Sequence, residues 1–111
     1  MAPPVTSPPI VALAFLIAAA APVPSAHHPS TYTVSIKDLA FGAAPSGILL
    51  GDTVEWVNND ILLHSVTARD KSFDLDVAPG AKVRIVTIKT GVIAYYCKYH
   101  PGMNGQLNVG K

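Results

Sequence analysis

Short runs of alternating apolar and polar residues recur along most of this chain. Tyr32-Thr33-Val34-Ser35-Ile36-Lys37 alternates and is rich in β-formers, which predicts a strand. Asp38 to Ser46 holds Leu39, Phe41, Gly42 and Pro45 and reads as a strand end followed by an irregular connection. Ile48-Leu49-Leu50 is a short strand stopped by Gly51-Asp52. Thr53 to Asn58 resumes the alternation, with Val54, Trp56 and Asn58 on one face and Thr53, Glu55 and Val57 on the other. Asn58-Asn59-Asp60 breaks that strand. Ile61 to Leu63 forms a loop, and a new strand starts at His64 and runs to Ala68. Further strands are expected over Phe73–Val77, Ala81–Lys89, Val92–Tyr96 and Gln106–Val109, separated by polar, Pro-Gly and Thr-Gly turns. No helical period is found after residue 26. Many short strands at regular spacing predict an all-β, single-domain sandwich.

The N-terminal quarter breaks this pattern. Ile10 to Ala21 is a continuous apolar run of signal-peptide length, too short for a comfortable membrane span. Small residues follow at Val23-Pro24-Ser25-Ala26, so cleavage is expected after Ala26 or one residue earlier. The segment before the apolar run has no Lys or Arg, unlike the usual pattern. The predicted organisation is a signal peptide over 1–26, a flexible tail over 27–31 and one domain over 32–111. Periplasmic or other export follows, with no stable membrane insertion once the leader is removed.

The eight Lys and Arg and seven Asp and Glu all lie beyond residue 26, so the exported part is nearly neutral. It has no basic run, which argues against nucleic acid or an anionic membrane as a partner. The single cysteine cannot form an internal disulfide in an oxidising compartment. It is therefore an unpaired thiol, an intermolecular partner or a metal ligand.

Its neighbours favour the last of these. Cys97, His100 and Met103 follow one another as C-x-x-H-x-x-M. Thiolate, imidazole and thioether form a mixed soft and borderline set that suits copper in both oxidation states. A mononuclear electron-transfer copper takes two histidines and a cysteine in a trigonal plane, with a weak axial methionine. His64, at a loop–strand junction, is the candidate for the second histidine. Taken singly, each residue has an ordinary reading as surface, core or packing. The joint spacing is what singles them out. His27 and His28, beside the expected cleavage point, are a possible extra Cu(II) site or simply two solvated histidines on a loose end.

From about Tyr32 to Val109 the sequence resembles a cupredoxin, a small blue copper protein of the plastocyanin and amicyanin group. Gly51-Asp52-Thr53-Val54-Glu55-Trp56-Val57-Asn58 is similar to the family's G-D-x-V-x-W-x-N strand. Tyr95 to Gly105 is similar to its Y-x-C-x-x-H-P-x-M-x-G loop, and the two-residue gaps on each side of His100 resemble amicyanin. The resemblance implies an all-β, single-domain Greek-key β-sandwich and one type 1 copper bound by His64, Cys97, His100 and Met103, with His100 at the surface as the electron port and Pro101 beside it in an apolar patch. Leu62, Leu63 and Gly42 are candidates for the same patch. Two positions depart from the family pattern. Ser65 stands where Asn often follows the first histidine, and Tyr99 where amicyanins tend to carry proline. The backbone N–H of Ser65, and that of Tyr99, could each donate to the Cys97 sulfur.

The expected function is a monomeric shuttle of single electrons. Its partners would be transient redox proteins, such as a dehydrogenase and a c-type cytochrome. The alternative is a copper protein for storage, delivery or sensing. Catalysis is not expected, because no nucleophile–base pair or paired-carboxylate constellation is present, and only His27 and His28 remain for a second copper centre.

Overall fold

The computed structural model describes residues 2–12, 14 and 27–111. The apolar run from residue 15 onward and the expected cleavage point at Ser25 or Ala26 lie outside the described residues. Among the described residues no helix is long and apolar enough to cross a membrane. Nine strands occur among them: β1 (Thr31–Lys37), β2 (Ala40–Phe41), β3 (Ile48–Leu49), β4 (Thr53–Asn58), β5 (His64–Ala68), β6 (Asp74–Val77), β7 (Lys82–Val86), β8 (Gly91–Tyr96) and β9 (Asn104–Gly110). They form a sandwich of two sheets, ordered β2-β1-β4-β7 and β3-β9-β8-β5-β6. Alternation carries no information on strand direction, and both sheets are mixed: β1 runs parallel to β4, and β3 parallel to β9.

The alternating positions face inward as the pattern requires. Val34 and Ile36 of β1, Val54 and Trp56 of β4, Val66 of β5, Ile93 and Tyr95 of β8, and Leu107 and Val109 of β9 meet in one core. Fully burying a large apolar side chain contributes about 1.5–3 kcal/mol, and Trp56 is the largest of those fully buried here. Tyr95 is fixed at the centre by edge contacts with Phe41, at 4.8 Å, and Trp56, at 5.3 Å between ring centroids.

Two expectations change. Ala40–Phe41 is a strand rather than an irregular connection. It pairs with β1 across a two-residue turn, Asp38-Leu39, with φ values of 52° and 59°. That turn is of the type that matches strand twist, although neither residue is the usual glycine or asparagine at both places. The strand expected over Ala81–Lys89 ends at Val86. Thr87 ends it by turning inward: its Oγ1 donates to the carbonyls of Leu49 and Asp52, and its N–H to Asp52. Ile88 is then left 83% exposed.

The segment expected as a flexible tail is anchored to the body. Asp52 is buried and accepts hydrogen bonds from the Ser30 and Leu49 amides at 2.8 Å each. His27 Nε2 lies 2.6 Å from the same carboxylate. The backbone amides, more than the histidine, pull the Asp52 carboxyl down to about 2.

Candidate metal centre

The strand Thr53–Asn58 delivers the first candidate ligand by pinning the loop that follows it. Asn58 is fully buried, and its Nδ2 donates to the carbonyls of Leu62, at 2.8 Å, and Val77, at 2.9 Å. Its Oδ1 accepts from the Asp60 amide. One side chain thereby shapes the connection between β4 and β5, and His64 emerges from it at the first position of β5. Strand β8 ends at Tyr96 and hands the chain to Cys97. The loop from Cys97 to Met103 closes on itself through Cys97 N–H to Met103 O, His100 N–H to Cys97 O and Met103 N–H to His100 O.

These two segments bring His64, Cys97 and His100 together, with one donor atom from each lying within 4.8 Å of the other two. Cys97 Sγ is 3.8 Å from His64 Nδ1 and 3.6 Å from His100 Nδ1. Metal–nitrogen bonds of about 2.0 Å and a metal–sulfur bond of about 2.3 Å, opened to a trigonal angle, put sulfur and nitrogen about 3.7 Å apart. The cluster thus has the spacing one shared ion requires. His64 and Cys97 are fully buried, Met103 is nearly so, and His100 is half-buried. Met103 follows in the same closed loop and packs in the core cluster with Cys97.

Hydrogen bonds around the cluster orient it. His64 Nε2 lies 2.8 Å from Asp60 Oδ2, so the Nε2–H donates to the carboxylate, and Nδ1 is left with its lone pair toward Cys97. Asp60 also accepts the amides of Asp38 and Leu39, which ties the β1–β2 turn to the histidine. Its carboxyl is held below the usual carboxylate range, chiefly by the Leu39 amide and then by His64. Sequence reasoning missed this residue. A carboxylate four positions before a candidate ligand, inside the loop that delivers it, was the available signal.

The two departures from the family pattern resolve differently. The Ser65 amide donates to Cys97 Sγ at 3.3 Å, as expected. Its hydroxyl also makes a tie between the ligand-bearing segments, accepting the Lys98 amide at 2.9 Å. Among the described residues the Tyr99 amide makes no hydrogen bond to the sulfur; the phenol of Tyr99 instead donates to Asp76 Oδ2 at 2.8 Å. Pro101 is exposed beside His100. His27 sits on Asp52, and among the described residues the metal-ligating group comprises His64, Cys97 and His100 without His27 or His28.

No protein-family model matches the sequence. Solved structures do. A proline-to-phenylalanine variant of amicyanin in its reduced state matches with a TM-score of 0.62 at 22% identity, over 72% of this chain and 82% of that one. The reduced Cu(I) form of a proline-to-glycine variant of amicyanin gives 0.63 at 23% identity, over the same shares of 72% and 82%. The Cu(I) form of a methionine-to-alanine variant gives 0.63 at 21% identity, over 77% and 87%. The chain therefore has the cupredoxin fold in its amicyanin-like form, with His64, Cys97 and His100 as a candidate metal-ligating group and Met103 in the same closed loop.

Proposed function

We propose that this cupredoxin-fold protein is an exported carrier of single electrons with one type 1 copper held by His64, Cys97, His100 and Met103. The observation that carries the reading is the convergence of two imidazole nitrogens and one thiol sulfur at one end of a packed sandwich. Bound copper would supply a one-electron Cu(II)/Cu(I) couple. The chain's part is to hold a single donor arrangement through both oxidation states. Cys97 is fully buried, and the Ser65 N–H donates to its sulfur, which fixes its position. His64 is held by Asp60 and the anchored turn behind it. Met103 offers the softest and weakest donor of the four from a site 4% exposed.

Of the four side chains, His100 is the one that reaches the surface, so its imidazole edge is the electron's way in and out. Its surroundings suit brief docking. Pro101 is exposed next to it, and the loop leading into His64 presents Ile61 at 90% and Leu62 and Leu63 at 42% exposure. Leu39, on the turn bound to Asp60, adds to the same end of the molecule. Redox encounters use small interfaces, and an apolar face without a fixed ion-pair pattern lets one surface meet a donor and then an acceptor. A dehydrogenase and a c-type cytochrome are the partner classes we propose, in the periplasm or another exported setting.

The test is the visible spectrum of the domain with one equivalent of Cu(II), beside Cys97→Ser. An intense blue band, bleached by ascorbate and lost in the variant, is expected. A pale spectrum unchanged by Cys97→Ser would overturn the reading.

A further inference from the structure

The outer face of the ligand loop is fastened to a neighbouring hairpin. Lys98 Nζ lies 3.1 Å from Asp74 Oδ1 and 3.1 Å from Asp76 Oδ1. The Tyr99 hydroxyl donates to Asp76 Oδ2 at 2.8 Å. Lys98 also lies over the Tyr99 ring, 5.3 Å from its centroid. Both carboxylates belong to β6, the edge strand that pairs with β5, where Thr67 opposes Asp74 and Ser65 opposes Asp76.

A second set of contacts runs beneath the first. The Thr67 hydroxyl donates to Asp74 Oδ1 at 2.9 Å. The hydroxyls of Thr67 and Ser65 share a hydrogen bond of 2.9 Å, and Ser65 Oγ accepts the Lys98 amide at 2.9 Å. The path from Asp74 through Thr67, Ser65 and the Lys98 backbone returns to Asp74 through the Lys98 ammonium. It is a closed ring, and Ser65 and Thr67 within it are buried although they lie on the outer side of the sheet. Ser65 also donates to Cys97 Sγ. Lys98 and Tyr99 are the two residues that separate Cys97 from His100.

Exposed loops are ordinarily the mobile parts of a fold, and donors that must be collected from a mobile loop lose affinity to ordering. Here both residues between two candidate ligands are gripped by their side chains, and one also by its backbone. We propose that Asp74 and Asp76 are positioning residues for a metal centre they do not touch: through Lys98, Tyr99, Thr67 and Ser65 they hold the Cys97–His100 segment in its metal-ready shape before the ion arrives. The identity of the ion rests on the copper reading above; the order of the metal-free loop does not.

The experiment compares the wild type, the Asp74→Asn/Asp76→Asn double variant and Tyr99→Phe. The first readout is amide hydrogen exchange in the metal-free protein. The Lys98, His100 and Met103 amides report on the loop, and the Val34 and Trp56 amides on the sandwich. The double variant should exchange its loop amides about tenfold faster, as expected for losing several surface ionic contacts together, with the sandwich amides unchanged. Tyr99→Phe removes one contact, should show a smaller change in the same amides, and carries the test if the double variant does not fold. The second readout is Cu(II) release, which should accelerate in the same order. Loop amides within about twofold of wild type would overturn the proposal. So would equal acceleration of loop and sandwich amides, because the clamp would then be serving the fold at large. A loop response in a protein that forms no blue band would uphold the clamp and reject copper; a blue band without a loop response would do the reverse.

Discussion

Gly105 is a place where one added carbon would disturb the core beneath the metal centre. It lies opposite Tyr95 in the β8–β9 pair. A β-carbon at this position would stand 2.3 Å from Tyr95 Cζ, 2.5 Å from its hydroxyl oxygen and 2.6 Å from Cε2. Carbon atoms pack at about 3.5–4.0 Å, so the ring would have to retreat by about 1 Å or more. It has nowhere to go: Phe41 meets it at 4.8 Å and Trp56 at 5.3 Å, and it is 1% exposed. Overpacking of this kind costs about 1–3 kcal/mol. With the ring confined on several sides, Gly105→Ala should fall in the upper part of that range, about 2–3 kcal/mol. For a domain of this size each kcal/mol moves Tm by about 4–8 °C, so the variant should melt roughly 8–24 °C lower. The assay is thermal and urea unfolding of the metal-free protein followed by the fluorescence of Trp56, the single tryptophan. Tyr95→Leu supplies the control. It is destabilising by itself, but it removes the ring that the new methyl strikes, so the two changes together should cost less than their sum by about 0.5 kcal/mol or more. A Gly105→Ala protein melting within about 2 °C of wild type would refute the reasoning, as would strict additivity with Tyr95→Leu.

Three further outcomes are expected. Asp60→Asn retains one acceptor oxygen where the carboxylate served two amides and His64, so Cu(II) affinity should fall about 10–100-fold in a competition titration; an unchanged affinity would remove Asp60 from the account of the site. Asp52 is depressed in the folded state to about 2 from an ordinary 3.8, so its contribution is complete above the ordinary value and is lost as pH falls through about 2. The urea midpoint should therefore decline over that acid window, and Asp52→Asn should decline less steeply; parallel slopes would exclude the assignment. Thr87→Val removes a hydroxyl that donates to the Leu49 and Asp52 carbonyls. Both carbonyls keep a backbone partner, in the amides of Asp52 and Thr87 respectively, so the cost should be modest, about 0.5–1.5 kcal/mol by urea unfolding. A neutral result would mean that Thr87 does not hold the end of β7 through its hydroxyl.

Much of the architecture is local information. Alternation of apolar and polar residues determines which face of a strand is buried, so the bounds of Thr53–Asn58 and His64–Ala68 are readable without coordinates. The spacing of Cys97, His100 and Met103 is likewise a property of one short loop, and soft donors at that spacing point to their chemistry from composition alone. The limits appear where an element depends on a distant partner. β2 has two residues and exists because β1 offers it an edge. β7 stops where Thr87 finds carbonyls 35 and 38 residues earlier in the chain.

The site divides in the same way. The sequence by itself determined the candidate donors, the loop that carries three of them, and the alternating strands able to form a sandwich. Tertiary structure decided what lies around them. Asp60 meets His64 because Asn58 bends the intervening loop, and the charge on Asp60 is held by amides from a turn on another strand pair. Ser65, read from sequence as a backbone donor to the sulfur, also ties the two segments by accepting the Lys98 amide on its hydroxyl. Tyr99, read as a free amide for the sulfur, is committed through its phenol to Asp76. Side-chain hydrogen bonds depend on atoms coming within about 3 Å in a defined direction, and residues 23 or 33 positions apart are brought that close only when the sheets have formed.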